Sequence, residues 1–221
     1  LALMVLFAAI LCAVPFHAVR AQAPDLGTAA TFSVLFGAAG SLTCTTTTIS
    51  DGDVGSPPGC VWAGGCTIIP PAVEHHGDAL AISANADLIT AYAAVLGLPC
   101  TTVNGTLAGV TLLPGVYCLD ASAKTGLLTL DGPTNGVWIF KTASSAFTAT
   151  NFQVVFKDGS APCANGSRVF WWSSTDATIT NTAENFMGTI LANSITLTGG
   201  NFFGQVLAKT SVTLTTVASF T

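Results

Sequence analysis

The feature of this sequence that most constrains its fold is a short repeat in its second half. Four segments share a pattern of Thr, two variable residues, Asn or Ser, and Phe; they are 148–152, 182–186, 198–202 and 216–220. The phenylalanines that end the last three segments, Phe186, Phe202 and Phe220, are 16 and 18 residues apart. A propeller blade needs about 40 residues. The period therefore favours a smaller repeating unit.

Each repeat contains an apolar strand followed by a Thr- and Ser-rich strand. A period of this length with three short strands predicts one coil of a three-faced β-solenoid. Equivalent positions then stack at about 4.8 Å, the spacing of paired strands. The phenylalanines are expected to form an internal ladder, and the Thr and Asn or Ser residues to form rows. Trp171 and Trp172 alternate on one apolar strand, which predicts that at least one fills the core, although both could stack on sugar rings.

One segment predicts a helix, from Glu74 to about Leu96. It follows Pro70 and Pro71, and Gly97 and Pro99 end it. Its apolar residues recur at spacings of three and four, so one face should be buried against the rest of the domain. That face consists of Leu80, Ala84, Leu88, Tyr92 and Val95.

The composition is apolar and nearly uncharged. Hydrophobic residues make up 50% and charged residues 8% of the chain, and the net charge is −5. Nucleic-acid binding needs a basic surface, which this chain lacks. A partner recognised mainly through charge is therefore not expected.

The first 23 residues differ from the rest. Leu1 to Val14 is nearly all apolar and too short to span a bilayer comfortably, and Ala21-Gln22-Ala23 has the form of a signal-peptidase site. We expect residues 1–23 to be a secretory signal peptide and residues 24–221 to be one secreted, extracellular domain with no membrane contact after cleavage. An N-terminal anchor helix is the alternative.

Removal of this leader leaves an even number of cysteines, which in a secreted chain suggests disulfides. The candidates are Cys44, Cys60, Cys66, Cys100, Cys118 and Cys163. Cys60 and Cys66 are close enough for a local cross-link, but the sequence does not fix the pairing. A zinc site is less favoured, because there is no Cys-x-x-Cys and few histidines; we expect no metal and no cofactor. Asn104 and Asn165 are glycosylation candidates in a eukaryotic host.

Several segments, in their order and spacing, resemble the ice-binding proteins of polar microbes, algae and fungi. They are 25–35, 50–59, 85–92, 112–117, 128–132 and 136–140. The resemblance implies a mainly β fold, a right-handed three-faced solenoid whose N-terminal segment closes against the C-terminal coils, with one long helix packed alongside. It also implies adsorption to ice, with thermal hysteresis and inhibition of recrystallisation. We expect the protein to be a monomer.

The resemblance further implies a Thr-Ala/Gly-x-Thr/Asn motif on the ice-binding face. Segments 148–151, 182–185 and 198–201 match it, whereas 216–219 departs from it, and Glu184 would place a charge within it. The asparagines could instead occupy corners while the threonines bind. The candidate ice-binding residues are Thr148, Thr150, Asn151, Thr182, Asn185, Thr198, Asn201, Thr216 and Ser219.

Two other functions fit a secreted solenoid. One is a structural or adhesive module without ice activity. The other is a carbohydrate-binding or carbohydrate-cleaving protein, but such enzymes need clustered acidic and basic residues, and the five basic residues after the leader are never adjacent. Asp51 and Asp53 lie in a Gly- and Pro-rich loop, where Asp commonly caps a turn. We therefore expect no enzymatic activity.

Overall fold

The computed structural model describes residues 21–37, 39–160, 168–182 and 185–220. Its strands form three parallel sheets beside one α-helix. The helix-covered sheet contains β1 (Phe32–Phe36), β3 (Asp53–Ser56), β5 (Glu74–His76), β6 (Thr101–Val103), β8 (Gly115–Leu119), β10 (Trp138–Thr142), β12 (Val169–Ser173), β15 (Thr189–Ala192) and β18 (Val206–Ala208). The threonine sheet contains β2 (Ser41–Ile49), β4 (Val61–Ile68), β7 (Thr111–Leu112), β9 (Lys124–Leu130), β11 (Phe147–Phe156), β13 (Ala177–Thr180), β16 (Ile195–Thr198) and β19 (Val212–Thr215). The short sheet contains β14 (Asn185–Met187), β17 (Asn201–Phe203) and β20 (Ser219–Phe220).

The last three coils each contribute one strand to each sheet. They are β12-β13-β14, β15-β16-β17 and β18-β19-β20, and every pairing between successive coils is parallel. The three-faced solenoid predicted from the repeat period is therefore confirmed.

The N-terminal coils stack on the end of the C-terminal ones. β1 pairs with β18, and β2 pairs with β19. In the helix-covered sheet, β5 lies at one edge and β6 at the other, although only the helix and its flanking turns separate them in sequence. The helix thus carries the chain back along the solenoid, and it covers about 27 Å of that distance at 1.5 Å per residue.

Helix α1 spans Ala79–Leu96 and is shorter than predicted. Glu74 to His76, placed in the helix by the sequence analysis, instead form strand β5 against β3. The helix begins where Asp78 caps it: the Asp78 carboxylate accepts a hydrogen bond from the Ala81 backbone N–H at 2.9 Å. Of the predicted buried stripe, Ala84, Leu88, Tyr92 and Val95 are buried, whereas Leu80 is 38% exposed.

Four hydrogen bonds from three side chains hold α1 on the sheet beneath it. The Tyr92 hydroxyl donates to the Ser173 carbonyl at 2.8 Å, and the Trp172 indole N–H donates to the Tyr92 carbonyl at 3.0 Å. At the C-terminal end of the helix, the buried Lys141 ammonium donates to the Leu96 and Leu98 carbonyls at 2.9 and 2.6 Å. Lys141 thereby satisfies helix-end carbonyls that would otherwise lack partners. Burial lowers the pKa of Lys141.

The outer side of α1 is also apolar, with Ile82, Ile89 and Leu96 about half exposed. By length and composition the helix could cross a membrane, a property that core helices of soluble proteins share. In this structure, one face of α1 packs on the helix-covered sheet.

The solenoid interior contains the predicted phenylalanine ladder. Phe186 stacks on Phe202 with ring centroids 5.9 Å apart, and Phe152 lies 6.2 Å from Phe186. Trp171 points into this interior, while Trp172 lies on the opposite side of its strand, under α1. Both indoles are buried, so the prediction that at least one fills the core is confirmed.

Two disulfides link neighbouring strands, Cys44–Cys66 between β2 and β4 and Cys100–Cys118 at β6 and β8. The suggested Cys60–Cys66 link is wrong, because Cys66 lies beside Cys44 across paired strands. Among the cysteines that the structure describes, Cys60 is the free thiol, and it donates to the Gly37 carbonyl. Cys163 lies outside the described residues.

Candidate functional site

The threonine sheet carries two straight rows of threonine on five neighbouring strands. In each strand the sequence is Thr-x-Thr, and the pairing places each threonine opposite its counterpart on the next strand. The first row is Thr148, Thr178, Thr196, Thr213 and Thr43. The second row is Thr150, Thr180, Thr198, Thr215 and Thr45.

Alternation along each strand holds these side chains outward. The residue between the two threonines is apolar and at most 4% exposed in every strand. These inward residues are Ala149, Ile179, Leu197, Leu214 and Cys44. Because successive side chains in a strand point to opposite faces, burial of this middle row fixes both threonine rows on the outer surface.

The regular sheet sets the dimensions of the two-row face. Strands about 4.8 Å apart give a row of five a length of about 19 Å, and residues two apart in a strand are separated by about 6.7 Å. Within the described residues, no side-chain hydrogen bond links any of these ten hydroxyls to the protein. The rows contain no ionisable group, so the face offers a neutral grid of methyl and hydroxyl groups.

Three of the predicted ice-binding residues lie in this grid: Thr148 and Thr150 on β11 and Thr198 on β16. The predicted equivalence among repeats is wrong, however. Thr198 pairs with Thr180 and Thr215, not with Thr182 and Thr216. The stretch between the second threonine and the phenylalanine differs in length from coil to coil, so aligning the repeats on phenylalanine shifted the threonines.

Asn151, Thr182 and Thr216 lie at the corner beside the second row. All three are exposed, and the Asn151 side-chain oxygen accepts hydrogen bonds from the Thr182 backbone N–H and hydroxyl at 3.1 and 3.3 Å. Asn151 and Thr216 have left-handed backbones, with φ of 46° and 51°. These residues therefore border the grid and do not continue its rows.

Asn185, Asn201 and Ser219 lie on the short sheet, a different face of the solenoid. Asn185 pairs with Asn201, and Asn201 with Ser219. The Asn201 amide donates to the Asn185 side-chain oxygen at 3.0 Å, and both side chains are half-buried. This hydrogen bond links neighbouring strands of the short sheet, and both asparagines lie outside the two threonine rows. Glu184 and Asn165 lie outside the described residues, whereas Asn104 is exposed after β6.

Sequence reasoning missed seven members of the grid. They are Thr43, Thr45, Thr178, Thr180, Thr196, Thr213 and Thr215. The signal that could have found them is the Thr-x-Thr tripeptide itself, which recurs with an apolar or Cys residue in the middle. Thr43 and Thr45 are the least visible, because their strand joins the grid only through pairing with β19, about 170 residues later.

Of the two acidic residues singled out from the sequence, Asp53 has structural partners for its carboxylate and Asp51 for its backbone carbonyl. One Asp53 oxygen accepts a hydrogen bond from the Val73 backbone N–H at 2.9 Å, and the other lies 3.5 Å from His75. The backbone carbonyl of Asp51 accepts from the Ser33 hydroxyl. Across the described part of the chain, no group of three or more His, Cys, Asp or Glu side chains is arranged to hold a metal ion.

These features define a class: a three-sided parallel β-solenoid with a helix on one face and a two-row threonine grid in continuous register on another. The chain belongs to the ice-binding-like family, whose sequence profile matches residues 25–219. This confirms the resemblance inferred from the sequence.

Individual relatives agree with this assignment. An ice-binding protein of Nostoc sp. (strain HG1) is 36% identical over 200 residues, which are 84% of this chain and 70% of that protein. The crystal structure of an ice binding protein from an Antarctic biological consortium has a TM-score of 0.79 at 29% identity, covering 94% of each chain. That of an ice-binding protein from the Antarctic ascomycete Antarctomyces psychrotrophicus has a TM-score of 0.71 at 28% identity, covering 90% of this chain and 99% of the other.

Proposed function

We propose that this protein is an antifreeze protein that adsorbs to ice through the two threonine rows of the threonine sheet. The observation that carries the proposal is the unbroken register of ten outward threonines over five strands. Family membership and the ice-binding relatives support the same function.

Ice presents a lattice of water and no charge. In a tetrahedral water network, two waters that share a hydrogen-bonded neighbour are about 4.5 Å apart, given O–H···O distances of about 2.75 Å. Neighbouring threonines in one row are about 4.8 Å apart. The row therefore repeats within about 0.3 Å of the spacing of ordered water, and over five residues the mismatch stays near about 1.2 Å, well under one repeat.

Threonine suits this task for three reasons. Its hydroxyl both donates and accepts hydrogen bonds, as each water in ice does. Its methyl group adds apolar surface that orders the water beside it. Its β-branch restricts χ1, so little side-chain freedom is lost on binding. Each contact is weak, which is why many must act together.

The remaining parts of the proposal follow from this mode of action. Adsorbed protein blocks crystal growth, which gives thermal hysteresis and inhibits recrystallisation, and neither effect needs catalysis or a cofactor. We further propose that the protein is secreted after cleavage of residues 1–23 and acts as a monomer. The two disulfides are compatible with an oxidising, extracellular location.

Thermal hysteresis and recrystallisation assays on three proteins test the proposal. These are the wild type, a Thr178→Tyr plus Thr213→Tyr variant with one bulky residue on each of two grid strands, and a Thr90→Tyr control. Thr90 is an exposed threonine on α1, remote from the grid in the fold. The proposal expects activity in the wild type and control and a large loss in the double variant. Equal activity in all three would exclude this face, and inactivity of the wild type would exclude the function.

A further inference from the structure

A left-handed residue follows the second threonine in several coils and changes which side chains face outward. Along β2, Thr45 and Thr46 are both exposed and Thr47 is buried, so strand alternation is interrupted at Thr46. At the same point the pairing of β2 with β4 shifts register between Cys44 and Thr47. Such a bulge adds a residue and redirects its side chain.

The last coil repeats this arrangement. Thr216 follows Thr215, is exposed, and precedes the buried Val217. Its backbone N–H donates to the Thr45 carbonyl at 2.8 Å, and the Val217 N–H donates to the Thr47 hydroxyl at 3.3 Å. These bonds hold Thr216 beside Thr46, at the corner that borders the second threonine row.

Threonine is a poor residue for this backbone. The φ angles of Thr46 and Thr216 are 49° and 51°, in the left-handed region, where β-branched residues are genuine outliers. The corresponding corner positions in two other coils hold Gly199 and Asn151, residue types that favour this region. Glycine or asparagine at positions 46 and 216 would adopt this backbone conformation with less strain.

The internal structure gives no reason to keep threonine at either position. Both side chains are exposed, and neither hydroxyl has a hydrogen-bond partner among the residues that the structure describes. Strained residues persist where function requires their side chains. A further threonine side chain beside the grid would widen the ice-contacting surface.

We infer that Thr46 and Thr216 form a third, two-residue row of the ice-binding surface, kept there at the expense of fold stability. The inference rests on the proposed function of the threonine sheet. At positions 46 and 216, fold stability favours glycine or asparagine, whereas ice binding favours threonine.

A double variant, Thr46→Asn plus Thr216→Asn, separates the two effects. Asparagine tolerates the left-handed backbone but lacks the methyl group and the β-branched hydroxyl. We expect Tm to rise by about 2–4 °C while thermal hysteresis at matched concentration falls below that of the wild type. Thr90→Asn is the control, because the two residues have similar helix propensities and Thr90 lies on α1. The control should retain full hysteresis.

Two results would overturn the inference. Unchanged hysteresis in the double variant would mean that the corner threonines do not contact ice, and a lower Tm would mean that they are retained for structure. The Thr178→Tyr plus Thr213→Tyr variant is measured alongside. If it loses activity while the asparagine variant does not, the proposed function stands and the corner inference fails. An inactive wild type would instead contradict the proposed function itself.

Discussion

Thr196 of β16 lies directly opposite Thr213 of β19, and this pair occupies the inner part of the first threonine row. Both side chains are half-buried between neighbouring threonines, and both strands continue into a second pair, Thr198 and Thr215. The centre of the grid is therefore the place where a small chemical change should have the clearest effect on ice binding.

Thr196→Val and Thr196→Ser separate the contributions of hydroxyl and methyl. Valine keeps the shape and the stiff χ1 but removes the hydroxyl, whereas serine keeps the hydroxyl and loses the methyl group and the stiffness. Because both groups are used, each variant should have lower thermal hysteresis than the wild type, with stability changed by less than about 0.5 kcal/mol. Full hysteresis in the valine variant would show that the hydroxyl is not needed.

Ice binding should be independent of pH over the range in which the protein stays folded. The threonine rows contain no titratable side chain. Lys124, which lies opposite Ala149 in the paired strand, is buried and forms an ion pair with Asp120 at 2.6 Å. We expect hysteresis at pH 5 and pH 9 to agree within error when measured in buffers of equal osmolality. A pH-dependent change without unfolding would mean that a charged group contributes to the surface.

Stability, in contrast, should decline in acid. The Ala81 backbone N–H, followed by His75, lowers the pKa of Asp78, and hydrogen bonds from Thr28 lower the pKa of Asp87. A carboxylate with a lowered folded-state pKa contributes stability above its unfolded pKa of about 3.9, and that contribution is lost as pH falls through the folded value. Tm should therefore drop below about pH 4. In Asp87→Asn this acid-dependent drop should be smaller, and an unchanged drop would exclude Asp87 as a cause.

The Cys44–Cys66 disulfide should stabilise the N-terminal end of the grid. It links residues 22 apart, and Thr43 and Thr45 flank Cys44. Replacing both cysteines with serine should cost about 3 kcal/mol by loop entropy, or about 6–12 °C in Tm for a domain of this size. Cys60→Ser removes the free thiol and serves as the control, with Tm close to that of the wild type. A Tm loss in the control as large as in the double variant would contradict this assignment.

The Tyr92 hydroxyl should contribute measurably to docking of the helix. It donates to the Ser173 carbonyl at 2.8 Å at a buried position. Tyr92→Phe removes this bond and leaves the carbonyl unsatisfied, which should cost about 1–2 kcal/mol. Thermal unfolding should show the loss, and hysteresis at low temperature should persist because the threonine sheet lies on another face. Loss of hysteresis in a folded Tyr92→Phe protein would imply coupling between helix and grid.

The solenoid was predictable because its period is carried by residues close in sequence. Phe152, Phe186 and Phe202 are buried in the interior, and Phe186 and Phe202 stack there as expected. The exact threonine register was not predictable in the same way. The phenylalanine follows the second threonine by six positions in the coil of Thr180, by four in that of Thr198 and by five in that of Thr215. Corners absorb these differences, so the phenylalanine spacing does not fix the strand register.

Two further features depended on contacts that a local pattern does not contain. Glu74 to His76 form a strand because β3 pairs with them, whereas the sequence pattern alone predicted a longer helix that included them. Thr43 and Thr45 join the grid through the closure of the N-terminal coils on β19. The sequence carried the Thr-x-Thr tripeptides, but their assembly into one face depends on long-range pairing.

The most direct test of the central claim is the partition of labelled protein into a slowly growing single ice crystal. Wild type and Thr90→Tyr should both become concentrated in the ice, whereas Thr178→Tyr plus Thr213→Tyr should remain in the liquid. Circular dichroism should show that all three proteins are folded. Equal incorporation of the folded double variant and the wild type would contradict the claim that the threonine sheet binds ice.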